Sequence, residues 1–346
     1  MALAAREASV LPKEGRMRKL VGLLMLAAAL GGGWKFLQRY QVTGLDQVAV
    51  KPRTGQPGTQ SDGFDVAPPV AQRQSGTIRV GSFNIQVLGT SKLNKPRVMS
   101  VLAEVVRRFD VVAIQEVRAK TDDVLPRFID LINATGRHYD FVIGPRLGRT
   151  NSKEQYAIIF DTASIEVDRG GIYTVQDPDD LLHREPLVAS FRVRGPPAEQ
   201  AFTFSLVDIH TDPDETKQEL DALGDVFRAV QRDGSGEDDV IVLGDLNVDD
   251  RHLGRLGEVS NIMWVISGVP TNTRGNKQYD NLLFVQGATN EFTGRAGVLD
   301  LIREFNLTTD EALEVSDHMP IWAEFSLNEG GQAGRIATRP SWPARK

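Results

Sequence analysis

Two stretches decide the fold: Asp110-Val111-Val112-Ala113-Ile114-Gln115-Glu116 and Val240-Ile241-Val242-Leu243-Gly244-Asp245-Leu246-Asn247. Each begins as a short β-branched and aliphatic run, the pattern of a strand buried on both faces, and each ends in carboxylates. An amphipathic pattern precedes each of them, at residues 95–108 and 213–231. The second has Pro213 at a helix-start position and acids in its first turn. Two halves that both run from helix to strand to carboxylate suggest an internal duplication. Further out, apolar runs at residues 77–83, 139–143, 155–160, 187–193, 202–207, 281–285 and 321–325 also read as strands. The expected fold is α+β, a two-layered β-sandwich flanked by helices.

The chain around this core has 346 residues and a net charge of −6. That charge argues against a basic module that coats nucleic acid by neutralising many phosphates. It suits an enzyme that must release its product. The absence of cysteine excludes disulfides, thiolate metal sites and thiol nucleophiles. Near the N-terminus, Arg16, Arg18 and Lys19 precede an apolar and glycine run from Leu20 to Trp34, which reads as a signal sequence or short anchor within residues 1–40. Fifteen helical residues span about 22 Å against the ~30 Å of a hydrocarbon core, so a full crossing is marginal. Membrane association through residues 20–34, or secretion, would place the rest of the chain outside the cytoplasm. Residues 41–75 have a linker composition, residues 76–327 form the expected catalytic domain, and residues 328–346 read as a disordered tail.

The polar residues that follow or interrupt the strands are Asn84, Glu116, Glu154, His210, Asp245, Asn247, Asp280, Asp317 and His318. Any one of them alone carries little: Asp245 and Asn247 are as readily an Asx turn, and a loop histidine is usually only a surface group. Together they are chemically complete. They offer hard oxygen ligands for Mg²⁺, two histidines that move protons near neutral pH, and acids to orient them. Phosphodiester hydrolysis needs these parts, because an anionic phosphate repels hydroxide, the leaving alkoxide is strongly basic and the transition state gains charge.

Eight segments in order carry a resemblance: Ser82-Phe83-Asn84-Ile85-Gln86, Ile114-Gln115-Glu116-Val117-Arg118, residues 147–156, Arg184-Glu185-Pro186, Ile209-His210-Thr211, Gly244-Asp245-Leu246-Asn247, Tyr279-Asp280 and Ser316-Asp317-His318-Met319-Pro320. They resemble the successive signature segments of deoxyribonuclease I, in the endonuclease/exonuclease/phosphatase superfamily. The resemblance implies a four-layer αββα sandwich of two mainly antiparallel sheets and a metal-dependent endonuclease acting on DNA. It implies that Asn84 and Glu116 hold Mg²⁺ or Mn²⁺, that Asp245, Asn247 and Asp317 line the same pocket, and that His210 pairs with Glu154 and His318 with Asp280. By the same resemblance His210 is the general acid, His318 the general base, Arg184 a phosphate contact and Arg118 a minor-groove contact.

Gln86 stands where the mammalian pattern has an arginine near DNA, and Ser152 where it has a tyrosine packed on a deoxyribose. Val269-Pro270-Thr271-Asn272-Thr273 lacks the acid of one structural calcium site, while Asp177, Asp180 and Glu185 are candidates for another Ca²⁺. Two other readings compete: a superfamily phosphatase or phosphodiesterase acting on a lipid headgroup or other small phosphate, and a membrane-tethered binding module without activity. The sequence points to no protein partner.

Overall fold

A computed structural model describes residues 76–150, 153–331 and 334. The apolar N-terminal segment, the linker, Asn151, Ser152 and most of the tail lie outside the described residues.

Successive side chains of a strand point to opposite faces, so a strand covered on both sides reads as a nearly unbroken apolar run. In β1 (Thr77–Leu88), Ile78 and Val80 point between two sheets while Phe83 and Ile85 point to a helical layer. A short helix α1 (Thr90–Leu93) leads to α2 (Pro96–Val106), which starts at proline and buries Val98, Met99, Leu102, Ala103, Val105 and Val106. The chain continues through β2 (Val111–Val117), α3 (Val124–Asn133), β3 (Tyr139–Ile143), β4 (Gln155–Asp161), β5 (Ile165–Val167), β6 (Tyr173–Thr174), β7 (Leu187–Val193) and β8 (Thr203–His210). It closes with α4 (Thr216–Val230), β9 (Val240–Asp245), β10 (Ile262–Trp264), β11 (Asp280–Val285), β12 (Phe292–Val298), α5 (Leu301–Glu304), α6 (Thr309–Val315) and β13 (Ile321–Ser326).

One sheet has the strand order β12-β13-β1-β2-β4-β3, the other β10-β11-β9-β8-β7-β5, with β6 added on β7. The central pairs β1–β2 and β8–β9 are parallel, and their neighbours are antiparallel. A parallel pair needs a crossover, which α2 supplies in the first sheet and α4 in the second. Both sheets therefore repeat one plan, as the two helix–strand–carboxylate halves suggest. The layer between them holds Val111, Ala113, Ile158, Leu206, Ile241, Leu243 and Leu282, with Phe202 stacked on both Phe204 and Phe325. Burial of each such ring stabilises by about 1.5–3 kcal/mol.

The expected strands and two main helices are present. Helices α1, α3, α5 and α6 and strands β5, β6, β10 and β12 go beyond that reading. Pro126 lies in the first turn of α3, where backbone N–H groups have no intrahelical partner and a proline costs little. Thr308 and Glu311 close a capping box on α6. Strand β12 is an edge strand with a register shift around Gly294, so its sequence shows no clean alternation. Residues 328–331, assigned to the tail by composition, pack on the domain: Asn328 bridges Ala201 and Glu329 Oε2 accepts the Thr203 amide (3.1 Å).

Candidate active site

The face of each sheet that meets the other is apolar along its length and turns polar at one end. On β1, Ile78 and Val80 are followed on the same face by Ser82 and Asn84. On β8, Phe204 and Leu206 lead to Asp208 and His210, and on β9, Ile241 and Leu243 lead to Asp245. Strands β4 and β11 run antiparallel to their neighbours, so their entry residues share that end. Glu154 precedes Tyr156 and Ile158, and Asp280, opposite Asp245 in register, precedes Leu282. Side-chain alternation thus carries acids, amides and imidazoles from both sheets to one edge of the gap between them.

Asp245 Oδ2 is the point of convergence. It accepts from Asn84 Nδ2 (3.0 Å) and lies 3.5 Å from His210 Nε2 and 3.4 Å from His318 Nε2. Each imidazole uses its other nitrogen on a buried carboxylate: His210 Nδ1 on Glu154 Oε1 (2.6 Å) and His318 Nδ1 on Asp280 Oδ2 (2.9 Å). Both expected His–carboxylate pairs form. Burial disfavours the imidazolium of His210, but Glu154 and Asp245 outweigh it and raise the pKa. At His318 burial is likewise outweighed, by Asp280, Asp245 and Asp317, and the value rises to about 10. Burial would raise Glu154, yet its bond with His210 and the charges of Arg184 and Arg118 hold it below the usual carboxylate range.

Alternation alone misplaces Glu116. On β2, Val112 and Ile114 face the helices, and Glu116 should follow them. Both β1 and β2 shift register here, and Glu116 takes φ 63°, which brings its Oε1 to Asn84 Nδ2 (3.2 Å) and its Oε2 to the Val87 amide (3.0 Å). A non-glycine residue in such a conformation costs about 1–3 kcal/mol and tends to mark function. Gln86 and Val87 share the left-handed bulge, with φ of 49° and 56°. Asn247 also has a positive φ (52°), and its Nδ2 donates to the Thr211 carbonyl (2.8 Å). Asp317 is exposed, and its carbonyl accepts the Thr273 amide (2.8 Å).

The two arginines stand inside this network. Arg118, partly buried, reaches Glu116 Oε2 (3.3 Å) and Glu154 Oε2 (3.2 Å). Arg184 is buried, with Nε on Glu154 Oε1 and on the His210 carbonyl (both 3.2 Å) and a terminal nitrogen on the Thr211 carbonyl (3.3 Å). Its visible role is to brace Glu154. Ligand atoms of Glu116, Glu154 and His210 come within 4.8 Å of one another, as do those of Asp245, Asp280 and His318.

Some positioning residues escape sequence reasoning. Lys92, buried in α1, donates to the carbonyls of Ile85 (2.7 Å), Gln86 (2.5 Å) and Val315 (2.8 Å) beneath the bulge, and burial lowers its pKa to about 8. Thr271 Oγ1 donates to Asp280 Oδ2 (2.6 Å) and Ser316 Oγ to the Asn84 carbonyl (2.7 Å), while Tyr156 Oη accepts the His210 amide (2.9 Å). A lone lysine, threonine or serine gives no sequence signal, although Ser316 and Tyr156 lie within the quoted motifs. The loop from Val269 to Thr273, which lacks a calcium-anchoring acid, is held by Asn272 Oδ1, an acceptor for the amides of Asn276 and Lys277 (both 2.9 Å). The candidate calcium acids Asp177, Asp180 and Glu185 are not among the groups whose ligand atoms meet. Asp180 is paired with Arg149 (3.2 Å).

Residues 81–318 match the Endonuclease/Exonuclease/phosphatase family. Among curated proteins the chain is similar to Deoxyribonuclease-1-like 1 of Mus musculus, 32% identical over 76% of this chain and 86% of that protein. It is also similar to Deoxyribonuclease gamma of Rattus norvegicus, 31% identical over 72% and 84%. A solved structure of humanized D. rerio TDP2 superposes with a TM-score of 0.51 at 15% identity, covering 73% of this chain and all of that one, which bears on the fold alone. With the ordered motifs and the site just described, these similarities establish that the chain belongs to the endonuclease/exonuclease/phosphatase family, as a deoxyribonuclease I-like phosphodiester hydrolase.

Proposed function

We propose that this site cleaves DNA phosphodiesters with Mg²⁺ or Mn²⁺ and leaves 5′-phosphates. The carrying observation is that two imidazoles, each oriented through Nδ1 by a buried carboxylate, present Nε2 to one oxygen of Asp245. That arrangement serves a proton taken and a proton given at one phosphorus. In our reading His318 Nε2 takes the proton of the attacking water as its oxygen bonds to phosphorus. The bond from phosphorus to the 3′ oxygen then breaks, and His210 Nε2 protonates the leaving oxygen. Asp245 lies within reach of both imidazoles and orients the water.

The donors fit a hard divalent cation. They are carboxylate oxygens, with Glu116 partly exposed in front of buried Glu154 and Asp245, and the Asn84 amide, whose nitrogen faces Glu116 and Asp245, would turn its oxygen to the ion. Glu116 and Asn84 would hold the ion, with Asp317 at the rim. Its charge would compensate the phosphate and the acids that otherwise keep a proton on His318. Arg184 is proposed to meet a phosphate and Arg118 the minor groove once substrate competes for their carboxylates. DNA is favoured because the similar curated proteins bear deoxyribonuclease names and because the segment around Arg118 resembles that of deoxyribonuclease I. We also propose that residues 16–34 export the domain, as a cleaved signal or an anchor, which fractionation of a tagged chain would test.

The direct experiment offers the purified chain supercoiled plasmid, single-stranded DNA, RNA and sphingomyelin, each with Mg²⁺ or Mn²⁺. Nicked plasmid is expected. Intact DNA beside hydrolysed sphingomyelin would transfer the site to the lipid-headgroup reading.

A further inference from the structure

The opposite end of β9 carries a second group of acids that hydrolysis does not use. Asp239 precedes β9 as Asp245 ends it, and at about 3.3 Å per residue the two lie about 20 Å apart. Ligand oxygens of Asp239, Glu291 and Glu329 lie within 4.8 Å of one another, as do those of Glu237, Asp238 and Asp239. Asp239 is fully buried, and Glu237 and Glu291 are 3% exposed. Neither oxygen of Asp239 has a hydrogen-bond partner, nor has Glu291 Oε2. The Thr289 hydroxyl, on a residue also 3% exposed, makes no bond of good geometry but faces Asp239 and favours its ionisation, against burial and the neighbouring acids. The charges acting on these acids are one another's: Glu291, Glu237 and Glu329 all disfavour ionisation of Asp239.

Local bonds hold the acids together rather than apart. Glu237 Oε1 accepts the Asp239 amide (2.9 Å), and Glu329 accepts the amides of Thr203 (3.1 Å) and Gly331 (2.9 Å). Glu291 accepts the Gly330 amide, and the Gly334 amide donates to Thr203 Oγ1 (2.7 Å). Buried, unpaired carboxylates facing one another need either protons or a cation. The donors are all oxygen, without imidazole or sulfur, and come from three separate chain segments. That favours the larger, more adaptable shell of Ca²⁺ over octahedral Mg²⁺ or a transition metal.

We propose that Asp239, Glu291 and Glu329, with Glu237 and the Thr289 hydroxyl, bind one structural Ca²⁺ that ties the start of β9 and the β11–β12 turn to the segment following β13. The site is independent of the hydrolytic centre, so the test uses the full chain carrying Glu116→Gln, which removes a ligand there. Thermal unfolding is followed with Ca²⁺ alone against a chelator. At about a hundredfold excess over Kd, a rise of about 5–10 °C in midpoint is expected, and Asp239→Asn or Glu291→Gln should abolish it. Should those variants fold poorly, equilibrium dialysis of the Glu116→Gln chain should show bound Ca²⁺ that Glu329→Gln loses. A midpoint that responds to lower pH but not to Ca²⁺ would overturn the proposal in favour of protons, as would a Ca²⁺ response unchanged in these variants.

Discussion

One strand, β9, ends in two acids with opposite surroundings. At its C-terminal end Asp245 accepts from Asn84 and faces two imidazoles, and the carboxylates behind those imidazoles also meet Arg118, Arg184 or Thr271. At its N-terminal end Asp239 meets other acids and the Thr289 hydroxyl, with no arginine or imidazole among the groups that act on it. On the proposed function, the difference is that burial of carboxylates alone does not make a reactive centre. Groups that can gain and lose a proton must stand beside them, and an arginine or a cation must make their ionised form affordable in a medium of low polarity.

The comparison can be tested from the reactive end first. Replacing His210 or His318 by alanine should lower plasmid nicking by about 10³-fold and should also lower the thermal midpoint, because each leaves a buried carboxylate without its imidazole. Wild-type rates in either variant would remove that imidazole from proton transfer. Glu154→Gln should cost about 10²-fold in rate and, because Arg184 then stays buried without its partner, about 3–5 kcal/mol in stability. Denaturant titration beside the rate assay separates those two losses. Thr271→Val removes one hydrogen bond to Asp280 and should slow cleavage by about tenfold.

The smallest effect concerns the other end and reads as pH dependence. Burial first, and the neighbouring acids next, raise Glu237 to about 7 and Asp239 to about 9. These folded values exceed the unfolded ones near 4, so the folded state holds protons that the unfolded chain has released. Their stabilising contribution is full below about pH 4 and is lost as pH rises through about 7 and then about 9. In chelator the thermal midpoint should therefore fall across that window, and Asp239→Asn should flatten the slope. A midpoint rising with pH over the same range would contradict this account.

Much of this was legible in the chain itself. The apolar runs before Glu116 and Asp245 are strands of a sandwich, and the polar residues at their ends converge at one edge of the gap between the sheets. Legibility followed from alternation: Asn84, Glu154, His210, Asp245 and Asp280 extend inward-facing apolar positions by one step past the core. The helical patterns before β2 and β9 were readable for a similar reason, since a helix that crosses a parallel pair must bury one face. Helix α3 and edge strand β12 were harder, the first broken by a proline in its opening turn and the second half-exposed with an irregular register.

The sequence by itself determined the layered fold and, through ordered motifs that resemble one family, the hydrolytic family and the two His–carboxylate pairs that the resemblance implies, because periodicity and motifs are local properties of a chain. Only the tertiary structure decided how Glu116 reaches Asn84 through a left-handed bulge, that Lys92 fastens that bulge from below, and that Arg184 braces Glu154. It alone also brought Asp239, Glu291 and Glu329 together at the far end of β9. These contacts join residues distant in sequence, and their energies depend on burial and on which charges become neighbours. A linear pattern does not encode either quantity until the sheets have packed.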